Sequence, residues 1–372
     1  MREIIPVYSK KELASFIDFP HDLYKNDPNY VPELFIGQRD LLTTHPFHKH
    51  SSLQPFLVLE DGRITGRIAA ILNNSHNQFN KVNDGFFGFF DCINDQETAN
   101  LLFETAAKWL KDKGADQKLI GPVNFSTNEA CGLLIEGFDS PPFLLQTYNY
   151  PYYSELIEKA GFVKQVDLIA WHWQGQAYDD KSVRLLNALQ ERLKRNNIII
   201  RKVNIKNFKE ETAKLRQVYN SAWDQNTGFV PLNDEEFEWL AKDLKLILDP
   251  DFALVAEQNG KIVAFGLALP NFNEVLQKVK RGRLLPTGIF TILLNKKKIK
   301  SLRIYALGVV DGYRKMGIEA VLYGTIISEY KRKGFLHAEA GWTLENNTLM
   351  NEAIKAIKGD PYKKYRIYEK AL

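Results

Sequence analysis

The sequence predicts an α+β fold, a mixed sheet flanked by helices, laid down twice along the chain. Three observations predict it. At 372 residues the chain is long for one domain and comfortable for two. Strand-like and helix-like patterns alternate through both halves in the same order, strand–helix–hairpin–strand–helix–strand–helix–strand. The hairpins themselves match, since VLEDGRITGRIAAI in the first half is mirrored by VAEQNGKIVAFGLAL in the second.

In the first half, Glu3 to Val7 reads as a short strand, and Pro6 marks a sheet edge. A helical pattern runs from Lys11 to Tyr24 and ends in the turn-forming Asp27-Pro28-Asn29-Tyr30-Val31-Pro32. Phe56 to Glu60 and Ile64 to Leu72 are strands joined by an Asp61-Gly62 hairpin turn. Gly85 to Asp91 is a third strand. The stretch Gln96 to Lys113 places Leu102, Thr105, Ala106, Trp109 and Leu110 on one helical face, and Gly114 stops it. A strand at Lys118 to Asn124, a helix at Tyr152 to Ala160 and a strand at Val166 to Trp173 complete the half. A polar stretch, Gln174 to Asp180, marks the boundary, giving domains of residues 1–176 and 177–372.

The second half opens with a helix from Ser182 to Arg195 and a strand from Ile198 to Val203, then a helix from Lys209 to Trp223. The hairpin at Phe252 to Leu269 turns on Asn259-Gly260. Leu302 to Val309 is apolar and β-branched, as suits a buried strand. Asp311-Gly312 breaks it. Helical spacing resumes at Gly317 through Ile318, Val321, Leu322, Thr325, Ile326 and Tyr330, and Lys331-Arg332-Lys333-Gly334 ends the helix. His337 to Trp342, Asn347 to Ile357 and Tyr365 to Lys370 read as strand, helix and strand.

The junction before Ile318 carries the chemistry. A helix's first turn offers unpaired N–H groups and the positive end of its dipole to an anion. Gly317 lets such an anion approach the backbone, and Arg314 and Lys315 add charge. Leu307-Gly308-Val309, then Tyr313-Arg314-Lys315-Met316-Gly317-Ile318, then a helix with Leu322-Tyr323, resembles motif A of the GNAT N-acetyltransferase superfamily. The element order of both halves is similar to that fold, so the resemblance implies two tandem GNAT-like domains.

The resemblance implies acetyl-CoA or another acyl-CoA as co-substrate. Gly308, Val309, Arg314, Lys315, Met316, Gly317, Ile318 and Asn347 would contact it, with a backbone N–H near Gly308-Val309 polarising the thioester. An amine must lose a proton before it attacks. Glu339 is the expected base, Glu345 the second choice. In the family a tyrosine after an asparagine like Asn347 protonates the departing thiolate. Here Ile354 stands there, leaving Tyr323 or water to substitute. Glu319 also departs from the pattern, a carboxylate where a small residue is usual. The first-half loop Asp91-Cys92-Ile93-Asn94-Asp95 has two carboxylates and no glycine, so the first domain is degenerate for coenzyme A.

The loop from Gly121 to Gly132 gathers polar side chains at a strand end, where α/β folds place ligands. Asn124, Asn128, Glu129 and, in the second half, Trp342 are the expected acceptor-binding residues, with local turn chemistry as the alternative. Tyr148 to Tyr153 reads as filler of an interdomain seam, and His76 as a solvated loop histidine. His45, His48 and His50 lie in a flexible-looking stretch without cysteine or carboxylate partners, so no metal is expected.

Composition excludes several classes. A net charge of +4 does not make the basic face nucleic acid requires, and no DNA partner is expected. Two cysteines, Cys92 and Cys131, form neither a metal spacing nor a disulfide framework. The start lacks a secretory pattern and no apolar run is long enough to span a bilayer, so a cytoplasmic protein is expected. The piece between Pro270 and Lys300 is extra relative to the first half. It reads as a helical lid packed on the sheet, or as a greasy, lysine-rimmed patch for a long acyl chain, a membrane surface or tRNA. The expected activity is acyl transfer, acetyl foremost, to a primary amine of a small molecule or peptide. The alternatives are a fold-only binding module, or a transferase taking a long-chain acyl or aminoacyl-tRNA donor.

Overall fold

A computed structural model describes residues 2–174, 180–222 and 228–372. The domain boundary placed at 176/177 and the helix end placed at Trp223 fall outside the described residues. The first half runs β1 (Arg2–Pro6), α1 (Lys10–Leu23), α2 (Phe35–Thr43), β2 (Ser52–Glu60), β3 (Arg63–Leu72), α3 (Asn74–Asn80), β4 (Gly85–Cys92), α4 (Gln96–Asp112), β5 (Lys118–Gly121), β6 (Leu133–Glu136), α5 (Tyr153–Lys159) and β7 (Val163–Gln174). The second runs α6 (Asp180–Arg195), β8 (Ile198–Lys202), α7 (Phe208–Ala222), α8 (Asp234–Ile247), β9 (Ala253–Gln258), β10 (Lys261–Pro270), α9 (Asn273–Leu276), α10 (Gly288–Asn295), β11 (Ser301–Val309), α11 (Ile318–Arg332), β12 (His337–Leu344), α12 (Thr348–Ala356) and β13 (Asp360–Ala371). With α3 and β6 set aside in the first half, and α6, α9 and α10 in the second, both halves read strand, two helices, hairpin, strand, helix, strand, helix, strand.

Local chemistry explains many of these boundaries. Ser9 and Glu12 form a reciprocal capping box at α1, as do Asn233 and Glu236 at α8. Both hairpin turns put two residues at positive φ, Asp61-Gly62 and Asn259-Gly260, which matches the twist of the flanking strands.

Among the described residues thirteen strands make one sheet, in the order β1-β2-β3-β4-β5-β13-β7-β12-β11-β10-β9-β8, with β6 also on β13. The last strands of the two halves are exchanged. β7 pairs with β12 of the second half, and β13 pairs with β5 of the first, Tyr368 opposite Gly121. Apolar residues cover both faces. Phe87, Leu102 and Phe103 centre one cluster of the first half, and Phe16, Phe47 and Leu168 the other. Val263, Ile318 and Leu322 centre the main cluster of the second half.

Three sequence expectations change. The tyrosine run at 148–153 packs inside the first half, not at a seam: the Tyr150 ring lies tilted against Tyr24 with centroids 4.7 Å apart, and Tyr24 Oη donates to Tyr153 Oη at 2.9 Å. His76 is buried on α3, because Asn73 caps that helix and draws the ring against Phe86. The 35–50 stretch is not loose, since α2 and a 3-10 turn at Pro46–Lys49 order it and Phe47 stacks on Phe125 at 4.2 Å.

Candidate active site

The site forms where β11 and β12 part. Their parallel pairing runs from Ser301 opposite His337 to Ile304 opposite Ala340 and then ceases. A bulge at Tyr305 in the β10–β11 register turns the strand away. Val310 N donates to Val263 O, so by strand alternation the amides of Leu307 and Val309 point away from β10. Among the described residues, they face the gap past the end of the β11–β12 pairing. Gly308, its amide on the β10 side, is spacing rather than donor.

Arg303 clasps the vertex of this opening. Its Nη2 donates to Gly341 O at 2.7 Å, its Nη1 to Leu144 O, and its Nε lies 3.5 Å from Glu339 Oε2. Glu339 is fully buried, and Gln146 Nε2 donates to its other oxygen at 2.8 Å. Gly341 must be glycine here, because a Cβ would stand 2.3 Å from that carboxylate. Burial pushes the Glu339 carboxyl up to about 7, against the opposing pull of Arg303.

The opening leads into a cleft of about 460 Å³ between the halves, within the usual range of about 300–1,000 Å³ for small-molecule sites. Its walls come from α2, the 121–132 loop, α7, α8, β11, α11, β12 and α12. Leu41, Leu145, Trp239, Leu244, Ile304 and Leu344 make them largely apolar.

Glu129 lies in this wall and accepts from Ser126 Oγ at 2.8 Å. Burial pushes its carboxyl up to about 8; the Ser126 hydroxyl opposes the shift and the Glu236 charge adds to it. The neighbouring amides are committed. Asn124 Oδ1 accepts from Phe89 N at 2.9 Å, and Asn128 takes the Tyr219 hydroxyl at 2.7 Å while donating to Val230 O at 3.0 Å. The two bonds of Asn128 tie this loop of the first half to the second.

Of the residues singled out from sequence, Asn124, Asn128, Glu129, Trp342, Tyr323 and Asn347 meet in this cleft. Asn347 also caps α12, accepting from Met350 N at 3.2 Å, and Ile354 faces the cleft from the same helix. Glu339 is outside the lining, beneath Arg303. Glu345 is elsewhere, accepting from Lys164 Nζ at 2.7 Å and Asp167 N at 3.0 Å, which ties β12 to β7.

Arg314, Lys315, Met316, Gly317 and Ile318 sit beyond the cleft at the start of α11. Gly317 is the N-cap at φ 87° and has no side chain with which to cap the helix, and among the described residues Glu319 makes no hydrogen bond back to the first-turn amides. Its α carbon packs against α6, where a Cβ would lie 3.1 Å from Leu189. Arg314 is half exposed, its Nε 3.1 Å from Asp311. An anion therefore finds uncapped amides and two nearby cations.

The first half lacks this arrangement. Asp95 caps α4, taking Thr98 N at 2.7 Å, and Arg2 sits 3.0 Å from the same carboxylate. Val123 N donates to Phe87 O at 2.8 Å and Asn124 reaches Phe89, so the parting of β4 and β5 is stitched shut.

Sequence reasoning missed Tyr305, His45 and Trp239 in the lining. Trp239 was findable, because Asn233-Asp234-Glu235-Glu236 is a capping-box signature that announces α8. His45 had no such signal. Its Nδ1 accepts from Phe47 N, its ring packs 5.3 Å from Trp239, and burial pulls it down to about 4, so it is neutral. Among the described residues no cluster of metal-ligating side chains occurs and no helix is long and apolar enough to cross a membrane.

No protein-family model matches the sequence. Protein YghO of Escherichia coli is 36% identical over 371 residues, covering 98% of this chain and 94% of its own. Bacterial ceramide synthase of Caulobacter vibrioides is 33% identical over an alignment of 386 residues, covering 99% and 97%. Among solved structures, a tandem GNAT protein from the clavulanic acid biosynthesis pathway superposes with TM-score 0.58 at 10% identity, over 100% of this chain and 98% of that one. A GCN5-related N-acetyltransferase from Sphaerobacter thermophilus gives 0.56 at 12%, over 100% and 95%.

Proposed function

Because the chain belongs to the family of Protein YghO and bacterial ceramide synthase and has the tandem GNAT fold, we propose that it is an N-acyltransferase for lipids. It would join a long-chain acyl group, delivered as a coenzyme A thioester, to the amine of a long-chain amino alcohol. The name of the second relative supports that acceptor, since a ceramide is the amide of such a pair. The observation that carries the reading is the cleft: a carboxyl near pH 8, Glu129, in mostly apolar walls that continue into the parted edge of β11. An acetyl group would leave those walls unfilled. Aliphatic carbon of a long chain would cover them.

The co-substrate's diphosphate would meet the uncapped amides at Gly317 and Ile318, with Arg314 and Lys315 beside it. Its acyl carbonyl would take an amide of the parted edge, at Leu307 or Val309. Glu129 would accept a proton from the ammonium, for which a carboxyl raised toward neutrality is suited. The amine nitrogen then bonds to the carbonyl carbon, and as the carbon–sulfur bond breaks the second nitrogen proton passes through Tyr323 or water to the departing sulfur, leaving the amide and free coenzyme A thiol. Glu339 would serve differently from its sequence expectation, holding Arg303 and with it the vertex.

Incubation with palmitoyl-CoA and a long-chain amino alcohol should give the amide by mass spectrometry, at a rate well above acetyl-CoA with a short amine. Equal or faster acetyl transfer, or no thioester consumption, overturns the reading.

A further inference from the structure

The insert between β10 and β11 does not do what a lid does. In α10 only Gly288 is buried, although Ile289, Phe290, Ile292, Leu293 and Leu294 are apolar. Leu285 just before it is 77% exposed, Phe290 63% and Leu294 73%. A helix this apolar normally faces a core. This one projects.

Its charge is as distinctive. Residues 275–300 hold eight cations and no acid, although the whole chain is only +4, so the remainder is net acidic. Arg281 and Arg283 are spent as anchors, bonding Asp22 at 2.5 Å and Asp18 at 2.6 Å on α1. Lys278, Lys280, Lys296, Lys297, Lys298 and Lys300 are exposed and make no ion pair among the described residues. Further bonds, Gln277 to Pro28 O and Asn273 to Pro142 O, fix the root of the insert to the first half.

We propose that α10 and its lysine collar form a docking surface for an anionic phospholipid bilayer. The apolar residues enter the boundary between headgroups and acyl chains, and the lysines meet lipid phosphates. The charge pattern selects this occupant over a second copy of the chain, whose matching face would be equally basic and repel. The geometry also makes the placement useful. Arg283 stacks 3.4 Å from the ring of Phe35, the first residue of α2, and that helix supplies Gly37, Gln38 and Leu41 to the cleft. Docking would set the cleft rim close to the lipid surface.

Vesicle flotation of the full chain tests this without reference to catalysis. The protein should float with phosphatidylglycerol-containing vesicles and not with phosphatidylcholine alone. Phe290→Asp with Leu294→Asp should weaken binding at least tenfold. Lys296→Gln, Lys297→Gln, Lys298→Gln and Lys300→Gln together should weaken it roughly hundredfold or more. Leu246→Asp, an exposed leucine on α8, should change nothing. Unaltered thermal midpoints show the variants folded, and their turnover of micellar substrate should match wild type if the chemistry above holds. No flotation of wild type, or flotation indifferent to these changes, overturns the proposal. So does a dimer in light scattering that the aspartates dissolve.

Discussion

Replacing Glu129 by glutamine should make the protein more stable and much slower. The glutamine keeps the shape and an acceptor for Ser126, whose hydroxyl lies 2.8 Å away. It removes an ionisation the cleft disfavours. The carboxyl titrates near 8 in the folded chain against an ordinary value of 4.5. Below 4.5 both folded and unfolded chains hold the proton, and wild type loses nothing. Between 4.5 and 8 the unfolded chain releases a proton that the folded one keeps, so wild-type stability falls as pH rises. Above 8 the full penalty is present. At about 1.4 kcal/mol per pH unit the ceiling is about 5 kcal/mol, which water reaching the cleft reduces to roughly 2–3 kcal/mol. With an unfolding entropy of about 2.1 cal/mol/K per residue, a chain of 372 residues gains about 3 °C. Scanning fluorimetry of both proteins at pH 4.5 and pH 9 reads this: no difference at the lower pH, the variant about 3 °C higher at the upper. Activity should fall roughly 10²–10⁴-fold. An equal melting temperature at pH 9, or a gap that ignores pH, would refute the assignment of a raised carboxyl.

Other expectations follow from the same geometry. Glu339→Ala strands the Arg303 charge and should cost about 3–5 kcal/mol by chemical denaturation, whereas Glu339→Gln should keep catalysis per folded molecule within about tenfold; a loss as deep as that of Glu129→Gln would restore Glu339 as base. Gly317→Glu forces a left-handed residue with a Cβ 3.1 Å from Leu189 and puts a carboxylate at the uncapped amides. Calorimetry should show coenzyme A binding lost, and Arg314→Ala should weaken it less, with a reduced salt dependence. Asp95→Ala removes the cap of α4 and should cost about 1 kcal/mol with turnover unchanged; lost coenzyme A affinity there would place a second site in the first half.

The repeated plan was legible because hairpin turns, caps and apolar spacing are local. Asp61-Gly62 and Asn259-Gly260 mark their turns by residue type alone, and Gly317 marks the start of α11. What stayed hidden is long-range. Tyr365 to Lys370 reads as a strand, but nothing local says that it lies against Lys118 to Gly121, some 250 residues earlier. The cleft suffers the same way, since Glu129 gains its raised carboxyl only when Glu236 and the walls of the second half close over it. Glu339 looked like a base because its strand position is right for one. Its partner Arg303, and hence its burial, is decided by register between β11 and β12.

The traded terminal strands bear on how the molecule is made. The sheet of the first half lacks a member until residues 360–371 arrive, so during synthesis that half waits with β5 unpaired on one side. Deleting the final dozen residues should therefore harm the end of the molecule farthest away in sequence. It also means that neither half can be removed without opening the sheet of the other.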